Sequence, residues 1–376
     1  MTSMSVIRAM ERAGLIDFNY DFSQSHVLCG NRNSAKDPRL TNPFSYLPMD
    51  MAVRVYQQQS RDVSYDYIPR NERKENRLEE EIRLSMQQST YTTTPTTQTT
   101  PRQRTNNSYN PQDYEYNIAV IDFCDESSTS NKVDLDGDNI GDMVHGNVVA
   151  NLIDSVLGDK ALITCYDITG DDSKIISSLK SILSDIQSGK CKYDAVNMSL
   201  SQRITYSDLS KILGVKITND NISQYQTQIR NWLKQEVQDD GDYALAGQAV
   251  SLIEQIEAAG CDVYISAANC TDGTDDEINL FTLAQNSSSV GALDTDNKVA
   301  SFSFNNSLID DWMLGEVEVH KIYNGSSFSG FDLNGDGKVD IDGSYGSDKG
   351  KNKKNGWILG TSFSSPLQLI YDLQKA

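Results

Sequence analysis

From about Asp113 to the C-terminus, short apolar runs alternate with amphipathic stretches, and this alternation restricts what the chain can build. The strand-like runs are Tyr116–Ile121, Ala161–Tyr166, Ala195–Leu200, Val263–Ala267, Ser289–Leu293 and Gly356–Leu359. The helical patterns are His145–Leu157, Ser173–Gln187, Ser223–Glu236, Tyr243–Ala259 and Pro366–Lys375. Hydrophobic strands separated by helices make βαβ units, which bury a mostly parallel sheet between two helical layers. The expected fold is a three-layer α/β domain over residues 113–376. Functional residues in such sheets collect at the carboxyl ends of the strands.

The chain upstream has a different texture. Residues 1–70 are weakly patterned and rich in Asn, Ser, Tyr and Pro, and 71–88 reads as a charged helix with Leu78, Ile82 and Met86 in one stripe. Residues 89–112 form a Thr/Pro/Asn-rich tract that cannot bury apolar area and reads as a flexible linker. The expected organisation is therefore a poorly structured extension over 1–88, a linker, and the α/β domain.

Charge divides the same way. Residues 1–110 hold 14 Lys+Arg against 12 Asp+Glu, leaving 19 against 41 in 111–376, a net of −22 for the domain. So acidic a surface argues against nucleic acid or an anionic membrane as partner and suits cations or basic substrates. The N-terminal residues contain no apolar core of a Sec signal peptide, and no run is long enough to span a bilayer, so a cytoplasmic location or non-Sec export is expected. The six cysteines show no CxxC spacing, which disfavours a zinc site.

Chemistry is concentrated at a few strand ends. The heptapeptide Gly360-Thr361-Ser362-Phe363-Ser364-Ser365-Pro366 lies between an apolar strand and a helix. A hydroxyl there sits at a helix N-terminus, where unpaired N–H groups favour developing negative charge. Pro366 is expected in the first helical turn, where its missing donor is harmless. Taken alone, the heptapeptide is equally a plain strand–turn–helix connection. Asp122 ends the first strand, and His145, one of three histidines, opens an apolar helix beside Gly146. Asn269 ends Val263-Tyr264-Ile265-Ser266-Ala267-Ala268, where its amide can donate to an oxyanion.

Together these segments resemble the subtilisin-like serine proteases (subtilases, peptidase family S8), whose catalytic residues follow the order Asp, His, Ser. The resemblance covers roughly residues 113–376. It runs through Ile118–Asp122, His145–Ala150, Asp194–Leu200, Ser266–Asn269, Ser288–Phe302 and Gly360–Pro366. It implies a subtilisin-like fold and a serine endopeptidase working through Asp122, His145 and Ser362, with Asn269 in the oxyanion hole. It also implies a protein or peptide substrate lying extended against Ser199, Leu200 and Ser201 on one side and Ser266, Ala267 and Ala268 on the other. The extension would be a propeptide or regulatory arm that inhibits the domain intramolecularly, and Arg102 and Arg104 are processing points in the linker. Several positions depart from the family pattern. Phe123 and Cys124 replace a hydroxyl residue and a glycine after the aspartate, Asn147 replaces a threonine, and Ala268 and Ser201 replace glycines. The alternative is a catalytically impaired pseudoprotease serving as a calcium-binding interaction module.

Two further segments, Asp134-Leu135-Asp136-Gly137-Asp138-Asn139-Ile140-Gly141-Asp142 and Asp332-Leu333-Asn334-Gly335-Asp336-Gly337-Lys338-Val339-Asp340, place oxygen ligands at positions 1, 3, 5 and 9. Backbone carbonyls at position 7 come from Ile140 and Lys338. The pattern resembles EF-hand-like or dockerin-like loops, although neither has an acid at position 12, and it predicts structural calcium. No organic cofactor is expected.

Overall fold

The computed structural model describes residues 111–270, 275–351 and 353–375. Expectations for residues 1–110, including the charged helix, most of the linker and Cys29, lie outside the described residues. The first half of the domain comprises β1 (Tyr116–Asp122), β2 (Lys132–Val133), β3 (Met143–Val144), α1 (His145–Leu157), β4 (Ala161–Asp167), α2 (Lys174–Gln187) and β5 (Ala195–Met198). Next come β6 (Arg203–Thr205), α3 (Tyr206–Leu213), α4 (Gln226–Asp239), α5 (Ala244–Ala258), β7 (Asp262–Ser266), β8 (Glu277–Asn279) and β9 (Ser288–Leu293). The chain closes with β10 (Asp311–Leu314), β11 (Glu316–Asn324), β12 (Ser327–Asp332), β13 (Ile341–Asp342), β14 (Gly356–Leu359) and α6 (Thr361–Lys375).

The central sheet has six strands in the order β10-β9-β7-β5-β1-β4, and every neighbouring pair is parallel. Alternation within each strand feeds two cores. Ile118 and Val120 of β1 and Tyr264 of β7 pack with α1 and α6. Ala119 and Ile121, with Val263 and Ile265, pack with α2 and α5 on the other face. The three-layer α/β fold expected from the sequence is therefore present. Strand order reverses at β1, because the chain runs from β1 to its neighbour β4 and then crosses to β5 on the opposite side. Crevices open at such reversals, outside the carboxyl ends of the strands, and Asp122 ends β1 there.

Three features differ from expectation. A four-stranded antiparallel sheet, ordered β13-β12-β11-β14, covers the α1/α6 face through Val317, Val319, Phe331 and Ile358. α3 also forms, capped by the Thr205 hydroxyl accepting from Asp208 N. Finally, α6 starts at Thr361 rather than Pro366, which places the proline in the helix interior. An interior proline leaves the carbonyl four residues back without its helical donor. That carbonyl belongs to Ser362, and the Ser199 hydroxyl bonds it at 2.8 Å. Among the described residues, no helix is long and apolar enough to cross a membrane.

Candidate active site

His145 is placed by the loop that follows β1. Its N–H donates to Asn131 O and that of Gly146 to Phe123 O, each at 2.8 Å, so the loop satisfies the first amides of α1. Asn147 bonds Cys124 O and the Glu126 carboxylate and pins the loop from within the helix. Gly146 is required by contact: a Cβ there would meet Asp122 Cβ, Cys124 Sγ and Phe123 O, all at 2.7 Å. The imidazole consequently lands on Asp122, with Nδ1 2.8 Å from Oδ1 and 3.0 Å from Oδ2. A carboxylate is an acceptor, so Nδ1 carries the proton and Nε2 presents its lone pair. Burial of the ring pushes its pKa down, but the charge of Asp122 and the shared hydrogen bond outweigh this and hold it above its ordinary value.

Asp122 is fully buried. The Phe123 backbone N–H donates to Oδ1 at 2.7 Å. Cys124 is no rival nucleophile, because its hydrogen bond with Cys165 and its burial push the thiol pKa far up.

Ser362 is the second residue of α6, and its neighbour Phe363 places its ring 5.8 Å from that of His145. The Ser362 hydroxyl makes no hydrogen bond among the described residues. A buried polar chain fixes this helix end. Ser365 Oγ donates to Asn197 Oδ1 at 2.7 Å, Asn197 Nδ2 donates to Ser199 Oγ at 3.0 Å, and Ser199 Oγ donates to Ser362 O. The Ser199 side chain thus holds the backbone of Ser362. Sequence reasoning missed Asn197, whose trace is a polar residue inside the apolar run of β5, because a buried amide needs partners.

Asn269 is oriented from the same helix end. Its Oδ1 accepts from Thr361 N at 2.9 Å and from Thr361 Oγ1 at 3.0 Å, which turns Nδ2 outward. A Cβ on Gly360 would lie 3.2 Å from Asn269 Nδ2 and 3.7 Å from Ser362 N. Two N–H donors therefore border one small space that stays open only because residue 360 is glycine. Ala268, before the asparagine, holds a φ of 82°, a left-handed conformation that costs an L-residue roughly 1–2 kcal/mol.

A cleft of about 330 Å³ adjoins this space, lined by Ser199, Leu200, Ser201, Ser266, Ala268 and Asn269 as the sequence suggested. Phe123, Ile168, Ile175 and Phe281 add apolar wall, and Arg203 and Asp172 add opposite charges. Ala267 was expected on the cleft but packs away from it, against Phe304 and Trp312. Asn279 ties the walls together. Its Nδ2 donates to Leu200 O and to Ser266 O, both at 2.9 Å, and no sequence signal marked it.

The two aspartate loops share one hydrogen-bond pattern. At position 1, Asp134 and Asp332 each accept from the N–H groups of positions 3, 4 and 6. At position 9, Asp142 and Asp340 each accept from the N–H of position 2. Position 6 needs a positive φ in both, 67° at Asn139 and 82° at Gly337. Their suitability for a cation differs. Asp134, Asp136 and Asp138 bring carboxylate oxygens within 4.8 Å of one another, and burial raises the fully buried Asp136 to about 6. Asp142 is turned instead to Leu135 N and to Ser347. In the second loop Lys338 Nζ sits 2.6 Å from Asp336, so the chain's own ammonium already neutralises that carboxylate. The first loop's oxygen donors fit a hard divalent cation, and the second's fit it less well.

No family model matches the chain, and no curated protein matches it. Among solved structures it is similar to the patellamide maturation protease PatA, at 14% identity and a TM-score of 0.37 over 68% of this chain and 75% of that one. A lanthipeptide protease is similar at 16% identity and a TM-score of 0.37, over 68% and 72% of the two chains. MycP1 from the ESX-1 type VII secretion system is similar at 13% and 0.37, over 72% and 76%.

Proposed function

We propose that this domain is a subtilisin-like serine endopeptidase. The reading rests above all on Asp122 holding His145 through Nδ1, so that a basic Nε2 is presented beside the helix end that carries Ser362. In this reading Nε2 takes the Ser362 proton as Oγ bonds to a peptide carbonyl carbon. The carbonyl oxygen becomes an oxyanion in the space bordered by Asn269 Nδ2 and Ser362 N. His145 then returns the proton to the leaving amine, and a water activated the same way hydrolyses the acyl-enzyme. The free Ser362 hydroxyl fits a nucleophile whose bond to the base tightens only when substrate is bound. The substrate is a protein or peptide lying along the Ser199–Ser201 wall.

A fluorophosphonate probe tests this. The wild-type chain should form one covalent adduct, and peptide mapping should locate it on Ser362. A folded chain that stays unlabelled would favour the binding-module alternative. We propose further that the extension over residues 1–88 restrains this site, in which case the chain cut in its linker labels faster than the intact one.

The first aspartate loop is proposed to hold structural calcium through Asp134, Asp136 and Asp138. The ion would neutralise three crowded carboxylates and stiffen the segment that runs through β3 into His145. Saturation at about 100 times Kd adds about 2.7 kcal/mol to stability, or roughly 5–10 °C in Tm for a domain of this size. Calorimetry with calcium and with chelator should give that difference, and a Tm indifferent to chelation would remove the ion.

A further inference from the structure

Two thiols meet beside the Asp122–His145 pair, and the chemistry above uses neither. Cys124 follows Asp122 by two residues and is buried, whereas Cys165 lies on β4 and is half-buried. Both are free thiols, and they hydrogen-bond to each other. The fold brings them together from two directions. β1 pairs with β4, setting Asp122 opposite Asp167. Beyond Asp122 the loop stays on β4, because Asp167 Oδ1 accepts from Cys124 N at 2.9 Å and from Asp125 N at 3.1 Å. The Cys124 side chain turns back under α1, where Sγ would stand 2.7 Å from a Cβ on Gly146. Cys165 faces the same layer, packed against the core that α1 and α6 cover.

Their unequal exposure sets the order of reaction. β4 is the outermost strand of the six-stranded sheet, so a small oxidant from solvent reaches Cys165 before the buried Cys124. With a low-molecular-weight disulfide, RSSR, the Cys165 thiolate attacks one sulfur, forms a mixed disulfide and releases RS⁻. Until then the hydrogen bond to Cys165, burial and the neighbouring Cys165 charge together keep Cys124 protonated. A mixed disulfide cannot ionise, so that charge no longer opposes loss of the Cys124 proton. The Cys124 thiolate then attacks Cys165 Sγ and expels the second RS⁻. Two protein thiols have lost two protons and two electrons, and RSSR has become two RSH.

A disulfide shortens the contact between the two sulfurs to about 2.05 Å. Cys124 cannot yield alone, because Asp167 holds its N–H and its carbonyl accepts from Asn147 Nδ2 at 3.2 Å. Its neighbour Phe123 gives its N–H to Asp122 Oδ1 and takes the Gly146 N–H on its carbonyl. Drawing Cys124 toward β4 therefore pulls on both supports of the pair. We propose that Cys124 and Cys165 form a reversible disulfide that loosens His145 from Asp122 and slows acylation of Ser362. The slowing rests on the protease reading, whereas the bond and the movement of His145 do not.

The test treats the full chain with oxidised glutathione and then with dithiothreitol. Peptide mapping without reductant should join Cys124 to Cys165. The His145 imidazole, titrated by NMR, should show a lower pKa in the oxidised chain, because contact with Asp122 is what raises it. Fluorophosphonate labelling of Ser362 should slow roughly tenfold or more, since a misplacement of about 1 Å can cost ~10²-fold. Dithiothreitol should reverse all three changes. The Cys165→Ser chain should label like the reduced wild type and ignore the oxidant. A bond that joins other cysteines overturns the proposal, as does a Cys124–Cys165 bond that leaves the His145 pKa in place. Slowing that persists in Cys165→Ser overturns it too. A chain unlabelled in both states counts against the protease reading, and the mapped bond and the His145 titration still decide this one.

Discussion

Replacing Asp122 with asparagine is expected to lower kcat by roughly four orders of magnitude without unfolding the domain. The side chains are nearly isosteric, and the buried pocket keeps its Phe123 N–H donor. The lost element is direction. Asparagine can offer an N–H where the carboxylate accepted, so His145 is no longer held with its proton on Nδ1, and the lone pair at Nε2 is no longer assured. The pH profile should separate this from a packing defect. In the proposed mechanism the active base is neutral His145, so activity in the wild type should rise as pH climbs through its pKa, which lies above the ordinary histidine value. In the variant the charge that raised the pKa is gone while burial, which lowers it, remains. The acid limb of kcat/KM should therefore move to lower pH even as the plateau falls. A variant with unchanged kcat, or with its limb in the wild-type place, would remove Asp122 from the mechanism.

The departures at Phe123 and Cys124 illustrate what the sequence could convey about this site and what it could not. Asp122, His145, Ser362 and Asn269 could be picked out as candidates because each stands conspicuously at a strand or helix end. The parallel sheet could be read because its strands are nearly continuous apolar runs, and β14 and α1 begin and end where periodicity puts them. The support for the carboxylate was hidden, because it comes from a backbone N–H that any residue type supplies. The Ser365-Asn197-Ser199 chain was hidden for another reason. Its members touch residues 163 and 168 positions away, and sequence order carries no trace of such pairings. The same chain explains the displaced start of α6. Proline in the first turn is the local rule, and a tertiary hydroxyl that replaces the missing helical donor overrides it. In β11 the inward position of Lys321 breaks the hydrophobic alternation. Its buried ammonium bonds Asp136 O and Asp348, so a strand with a charged core-facing residue passed unseen.

Gly360→Ala should cost roughly 10²–10³ in kcat, the loss associated with removing one oxyanion donor. The reason is volume. The new methyl would stand 3.2 Å from Asn269 Nδ2 and 3.7 Å from Ser362 N, in the space both donors border. An oxyanion held there in the transition state would have to share that space with carbon. Binding of the substrate's flanking residues should change little, since neither Leu200 nor Ser266 is among the groups a Cβ at residue 360 would meet most closely. KM is therefore expected to stay within a few-fold. Gly360 also has a φ of 157°, which L-residues rarely adopt, so the fold of the alanine variant is checked by its Tm and its kinetics are read beside those of Asn269→Ala. That second variant removes one donor without touching residue 360. It should lose activity to a similar extent while also losing the two bonds to Thr361. If both substitutions disable the same oxyanion site, the double variant should fall far short of the product of the single losses. Fully multiplicative losses, or an alanine variant with wild-type kcat, would mean that the two donors do not act on one oxygen.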